Sequence, residues 1–180
     1  ETGASGMSGE LNYLTDPEGL LMRQMAFTAP MGGGATGGMM FWWTQVNQHD
    51  YYSNLTPAIE YFKLLPADFV KMDLLDYSDY TVRHESQMLT GYMRALGYRS
   101  EDAAYVYLFD TRYNYSNRNP GTIAGMSLDI NLSDGAYSVK MFDTQTGRVV
   151  STSTVNAVGG KLTLELDAWS CDRAFIIDKQ

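Results

Sequence analysis

The sequence has one cysteine and no long apolar run, and each shortage excludes a class of protein. Cys171 stands alone among 180 residues, so the chain forms no internal disulfide. No thiol or metal motif surrounds it, and we expect a buried structural thiol. No run approaches the roughly 18 apolar residues that a membrane-spanning helix needs, so we predict no membrane span.

Basic residues are also scarce. The chain carries 13 Lys and Arg against 21 Asp and Glu, a net charge of −8, which argues against nucleic acid as a partner. Of its two histidines, neither His49 next to Asp50 nor His84 next to Glu85 has a third ligand at metal spacing, so we predict no metal.

A glycine-rich segment resembles a nucleotide-binding motif in spelling only. Gly32, Gly34 and Gly37 have the G-x-G-x-x-G spacing, but they follow a predicted helix and precede a predicted strand. The dinucleotide motif requires the opposite order. We therefore predict no cofactor, and we interpret these glycines as a connector.

The most informative stretch runs from residue 39 to 52. Its apolar first part, Met39–Trp43, predicts a buried strand. The polar and aromatic residues 44–52 then predict a loop. Two interpretations stay open: the loop faces a ligand, or the strand belongs to the core and an ordinary surface turn follows.

Two helices flank this stretch. Asp16-Pro17-Glu18 is typical of a helix start, and apolar residues at helical spacing predict a helix over 20–29 that Pro30 ends. Thr56-Pro57 begins a second predicted helix, over 57–65. The order of helix, strand and helix is typical of an α/β unit, although it supplies only one or two strands.

The second half of the chain changes character. From residue 80 onward, short alternating runs are separated by turns that contain Gly, Asn or Asp, which predicts an antiparallel β-sandwich over residues 80–180. A polar linker is predicted at 73–79. The predicted strands centre on residues 105–109, 126–130, 137–141, 149–155, 162–166 and 175–177.

Several of these segments together resemble a known family. The chain is similar to the C-terminal end of a retaining (β/α)8-barrel glycoside hydrolase, of the clan that includes cellulases and β-mannanases, with an appended β-sandwich. The resemblance implies a fold of α/β plus all-β class, in which residues 1–72 supply the last βα units of the barrel. Helix 20–29 would be the seventh helix, Met39–Trp43 the eighth strand and 57–65 the eighth helix. The segments that carry the resemblance are the Gly-rich connector, Phe41-Trp42-Trp43, the polar loop to Tyr51, and residues 94–100, 134–139 and 142–147.

The resemblance also implies a site. Glu1 in Glu1-Thr2-Gly3 would be the nucleophile of a retaining mechanism, unless it is an ordinary terminal acid or the remnant of an expression tag. Trp42 and Trp43 would form walls of the substrate site. The hydroxyl-binding groups would be Asn47, His49 and Asp50.

The implied function is that of the C-terminal segment of a secreted or cell-surface enzyme that hydrolyses a β-linked polysaccharide. The acid/base residue would lie on a barrel strand that this chain does not contain, so the chain alone would be inactive. A second polypeptide would complete the barrel, or copies would self-associate, or the first 70 residues would pack on the sandwich. The alternative is a non-catalytic carbohydrate-binding or cell-surface assembly module that uses the loop Arg112–Arg118.

Overall fold

The computed structural model describes residues 14–34 and 43–180, and for residues 43–45 it describes the backbone only. Within these ranges most of the helices precede the strands, and one short helix lies between the second and third strands. The helices are α1 (Leu20–Met31), α2 (Trp43–Gln48), α3 (Thr56–Lys63) and α4 (Gln87–Tyr92), with single 3₁₀ turns at Tyr51–Leu55 and Phe69–Lys71. The two predicted helices, 20–29 and 57–65, are confirmed as α1 and α3.

The start of α1 differs in detail from its prediction. Asp16 accepts hydrogen bonds from the backbone N–H groups of Leu20 (3.0 Å) and Leu21 (2.8 Å), so it caps the helix from four residues upstream. Gly19, in the left-handed conformation with φ 64°, makes this possible. At the other end, Pro30 lies inside the last turn and the helix continues to Met31.

Two antiparallel sheets are present as predicted, but the larger one also includes Asp73–Leu74, which lies within the segment 73–79 predicted as a linker. One sheet has six strands in the order β1-β3-β4-β9-β6-β7, and the other has three in the order β2-β5-β8. Every pairing between these strands is antiparallel. The strands are β1 (Asp73–Leu74), β2 (Tyr80–Arg83), β3 (Met93–Arg99), β4 (Ala103–Asp110), β5 (Met126–Asn131), β6 (Gly135–Asp143), β7 (Arg148–Ala157), β8 (Lys161–Leu166) and β9 (Asp172–Lys179).

The main core lies between the two sheets. Alternate residues of β4 and β9, such as Val106 and Phe175, face Leu128 of β5 and Leu164 of β8. Because side chains alternate along a strand, the residues between them point to the other face of the large sheet.

That other face is covered by helices, which makes a third layer. Tyr107 of β4 and Ile176 of β9 belong to a second apolar cluster with Phe27 of α1 and Tyr61 of α3. The Phe27 and Tyr107 rings stack with centroids 5.0 Å apart, and the Tyr61 hydroxyl donates to the Phe175 carbonyl at 3.0 Å. Of the arrangements left open above, the described residues therefore show the N-terminal helices packed on the sandwich.

The barrel prediction is not confirmed. Residues 39–42 of the predicted strand lie outside the described residues, and Trp43 begins a helix, so the strand prediction is wrong at that residue. The predicted loop 44–52 is largely helical, since α2 and a 3₁₀ turn fill it. The two sheets of the described residues do not form a barrel. No helix in the described ranges is long and apolar enough to cross a membrane.

Candidate functional site

The predicted site residues divide into two groups. Glu1 and Trp42 lie outside the described residues, and Trp43 is the first residue of α2, where only the backbone is described. Asn47, His49 and Asp50 all lie on the surface. They stand at the end of α2 and in the turn that follows it.

The fold exposes these three residues by burying their neighbours. Val46 and Tyr51 form a small apolar cluster with Met22 of α1. Between them Asp50 adopts a left-handed φ of 51°, which turns the chain so that Tyr51 points inward. The His49 ring lies beside that of Tyr51, with centroids 5.9 Å apart. The polar groups of the turn are therefore presented outward from an anchored base.

Two hydrogen bonds attach this turn and the residues just after it to the region before α1. The buried Tyr51 hydroxyl donates to the Asp16 carbonyl at 3.0 Å, and the Asn54 amide donates to the Glu18 carbonyl at 2.9 Å. Tyr52, half exposed, lies next to this anchor. We call the surface formed by residues 47–52 the polar turn. It offers an amide, an imidazole, a carboxylate and a phenol, which are groups that bind sugar hydroxyls and sugar rings.

A buried polar network lies beneath α1. The Arg23 guanidinium donates to the Tyr113 hydroxyl. On the sheet beneath, Asp172 accepts hydrogen bonds from Tyr107 (2.7 Å) and from Thr144 (2.5 Å). This network joins the helix layer to strands β4 and β9 and to the segment that follows β4.

The network also perturbs the ionisation of its members. Burial raises the pKa of Tyr113 to about 12, although the neighbouring Arg23 opposes the shift. The pKa of Tyr107 is raised well above its ordinary value by burial and then by Asp172. Burial alone would lower the pKa of Arg23, but Asp172 and Tyr113 outweigh it and the net direction is upward. Both phenols therefore stay neutral near pH 7 and act as hydrogen-bonding groups.

The loop Arg112–Arg118, our alternative ligand-binding segment, is docked against α1. Tyr113 is buried, and its carbonyl accepts a hydrogen bond from Gln24 at 2.6 Å. Arg118 reaches Asp16 at 3.4 Å and Glu18 at 2.8 Å. These contacts hold the loop against α1, and burial leaves the Tyr113 ring inaccessible to a ligand.

The buried aspartates of the described residues all have partners within the chain. Asp16 caps α1, Asp172 bonds to Tyr107, and the other three pair with arginines: Asp79 with Arg99, Asp110 with Arg112, and Asp129 with Arg83. A carboxylate held in this way stabilises the fold. Across residues 14–34 and 43–180, no three His, Cys, Asp or Glu side chains converge as metal ligands would.

The sequence did not identify Arg23, Tyr107 and Asp172 as members of a buried polar network. A usable signal exists for Arg23, since it interrupts an otherwise apolar face of α1, and a basic residue on a buried helix face needs an acidic partner. Nothing in the sequence shows that Arg23 bonds to Tyr113 and feels the charge of Asp172, because both residues are far from it in the chain. The single thiol, Cys171, is buried as expected.

The similarity found between this chain and known proteins is with solved structures. No protein-family model and no curated protein matches the chain. A GH30 endoxylanase from Clostridium papyrosolvens is 11% identical with a TM-score of 0.42, over 88% of this chain and 38% of that one. A family 5 glycoside hydrolase from Bacteroides vulgatus is 19% identical with a TM-score of 0.35, over 82% and 28%.

A third solved structure, the α-L-fucosidase isoenzyme 2 from Paenibacillus thiaminolyticus, is 8% identical with a TM-score of 0.37. It matches over 57% of this chain and 15% of its own. The chain therefore spans well under half of each of these three structures. All three are glycoside hydrolases by name, and the likeness is a distant one of fold.

Proposed function

We propose that this chain is the C-terminal segment of a secreted glycoside hydrolase that cleaves a β-linked polysaccharide with retention of configuration. The polar turn would face the substrate, with Asn47, His49 and Asp50 as hydroxyl-binding groups. Glu1 would be the nucleophile, and Trp42 and Trp43 would form walls of the site. The remaining barrel strands, including the acid/base residue, would come from a second polypeptide or from more of the same protein.

The observation that carries the proposal is the presentation of the polar turn. Its polar side chains are exposed, while Tyr51 and Val46 hold its backbone against α1. The helices below are in turn fixed to the sandwich by Phe27 and Tyr61. An outward-facing set of amide, imidazole and carboxylate groups on an anchored backbone is suited to bind a polysaccharide, since anchoring the backbone reduces the entropy lost on binding.

Affinity electrophoresis of the chain in gels that contain xylan, β-glucan or β-mannan tests the proposal. We expect retardation by at least one of these polymers, and we expect His49→Ala and Asp50→Asn each to reduce it. Asparagine tolerates the left-handed backbone of position 50, so the second variant removes charge without adding strain. The control is Glu60→Gln, on the exposed side of α3. Unaltered migration of the native chain in all three gels would contradict the proposal.

The catalytic part of the proposal has its own test. In the complete enzyme, Glu1→Gln should abolish turnover, because an amide cannot form the glycosyl-enzyme intermediate of a retaining mechanism. Retained turnover in that variant would remove Glu1 from the mechanism.

A second candidate is a non-catalytic carbohydrate-binding module, and one observation favours it. A groove of about 260 Å³ lies at the edge of β3 and is lined by Tyr77, Tyr80, Arg94 and Phe109, among others. Tyr77 is 73% exposed, and its ring centroid lies 5.9 Å from that of Tyr80. An exposed aromatic ring beside a guanidinium suits a sugar that stacks on the ring and bonds through its hydroxyls.

The two candidates are separable in the same gels. If the module interpretation holds, Tyr77→Ala abolishes retardation and the His49 and Asp50 variants do not. The reverse pattern supports the glycosidase segment. Tyr77→Phe serves as the matched control, because it keeps the ring and removes only the hydroxyl.

A further inference from the structure

We propose that two copies of this chain associate through the free edge of β8, which extends the three-stranded sheet across a twofold axis. The inference is independent of the function proposed above. It rests on the backbone groups of that edge, on the order of its charges, and on the groove beneath it.

The first argument is the unused hydrogen-bonding capacity of β8. This strand is the last of the order β2-β5-β8 and pairs only with β5. The Leu132 N–H donates to the Gly160 carbonyl at 3.2 Å, which identifies that opposed pair as a hydrogen-bonded one. Since bonded pairs alternate along an antiparallel ladder, the backbone groups of residues 162, 164 and 166 face β5. Those of Lys161, Thr163 and Glu165 point away from it.

These outward groups are almost entirely available. Within the described residues, the Lys161 carbonyl accepts one bond, from the Val158 N–H at 2.9 Å, in the turn that precedes the strand. Thr163 and Glu165 have no further backbone partner in those ranges. An edge strand of this kind is a template for pairing with another strand.

The second argument is that β8 is complementary to itself. Antiparallel pairing with Thr163 on the twofold axis places Lys161 opposite Glu165 of the second copy, and Glu165 opposite Lys161 of the second copy. Lys161 and Glu165 are exposed on the outer face of the sheet, while Leu162 and Leu164 are buried on the inner face. Each copy therefore contributes to two opposite-charge pairs and meets no like charge, although the chain as a whole has a net charge of −8.

The third argument is the groove under this edge. A cavity of about 290 Å³ opens between β7 and β8, over apolar side chains that include Met141, Val155, Leu166 and Phe175. Met141, Val155 and Leu166 are only partly buried, although they pack against the main core. Pairing along β8 brings the grooves of the two copies together and shields these side chains from water, which favours association.

Charge exchange tests the inference. We expect the native chain to sediment as a dimer that dissociates on dilution over about a hundredfold range of concentration. Glu165→Lys would place lysine opposite lysine and shift the protein to monomer, and Lys161→Glu would do the same with glutamates. The double variant Lys161→Glu/Glu165→Lys should regain the dimer. An equimolar mixture of the two single variants should form a heterodimer, since each strand is then uniformly charged and the charges are opposite.

Two controls keep the result interpretable. Glu85→Lys makes the same charge change next to β2, at the opposite edge of the same sheet, and should leave the dimer intact. Thermal melting checks folding, which matters most for Lys161→Glu because Lys161 lies 3.7 Å from Asp129. A native chain that is monomeric throughout, or a dimer that Glu165→Lys does not weaken, would overturn the proposal. Failure of the two single variants to associate on mixing would also overturn it.

Discussion

Truncation of Phe27 should destabilise the protein more than almost any other single change in the helix layer. Its side chain is fully buried, with ring centroids at 5.0 Å from Tyr107, 5.8 Å from Tyr61 and 6.3 Å from Phe62. Phe27→Ala removes a buried ring and leaves a cavity between two layers, which costs about 3–5 kcal/mol. Because three aromatic partners are lost together, we expect a value in the upper half of that range.

Urea unfolding of the native chain and the variant, followed by Trp fluorescence and by circular dichroism, measures this difference. Ile59→Ala on α3 is the control, since Ile59 is half exposed and its loss should change the free energy of unfolding by less than about 1 kcal/mol. A Phe27→Ala cost below about 1 kcal/mol would refute the docking of α1 on the large sheet.

A double-mutant cycle tests whether Phe27 stabilises the protein through its contact with Tyr107. The Phe27 and Tyr107 rings are stacked at an interplanar angle of 11°, so the pair should show a coupling free energy of about 0.5–1.5 kcal/mol. Tyr107→Phe is unsuitable for this cycle because it leaves the ring in place, and Tyr107→Leu is used instead. Additive costs would show that the two side chains do not touch.

Two further predictions concern a glycine and an acid. Gly97→Ala should prevent folding or lower the melting temperature severely, because a Cβ there would lie 1.9 Å from the Tyr105 carbonyl oxygen. The control is Gly91→Ala in α4, where a Cβ meets nothing within 4 Å, and this variant should be tolerated. Burial alone would raise the pKa of Asp79, but hydrogen bonds from Arg99 and a backbone N–H outweigh it and hold the pKa below 3.8. The stability that this shift contributes is complete above pH 3.8, and it is lost as the pH falls through the lower pKa that Asp79 has in the folded protein. Asp79→Asn should therefore make the free energy of unfolding depend less on pH in the acid range.

The sandwich was predictable because its strands alternate. Leu162, Leu164 and Leu166 of β8 point to the core between polar neighbours, and the observed strand Lys161–Leu166 has that pattern. The strand β3 was missed, since Arg94, Gly97 and Arg99 interrupt its apolar alternation. Its close approach to Tyr105 requires that glycine, but only the structure shows the contact.

The third layer had a signal in the sequence that the barrel interpretation did not use. The run Tyr105–Phe109 is apolar at every position, which indicates a strand covered on both faces. One face belongs to the main core and the other to Phe27 and Tyr61. The sequence could not reveal which helices cover it, because that depends on contacts between residues far apart in the chain.

The local structure of the candidate site was not predictable from the sequence. Asn47, His49 and Asp50 lie on the surface, but the loop predicted for residues 44–52 is mostly helical. Its anchor, the bond from Tyr51 to the Asp16 carbonyl, joins two segments that no local pattern connects. Their role in binding a substrate stays a prediction.

The measurement that tests the central claim most directly is an NMR titration of the isotopically labelled chain with cello-, xylo- and manno-oligosaccharides. The account predicts that one of these sugars shifts the amide resonances of residues 47–52, while the signals around Tyr77 and along β8 stay in place. Shifts confined to the Tyr77 groove, or no shift with any of the three sugars, would contradict the claim that the polar turn faces the substrate of a glycoside hydrolase.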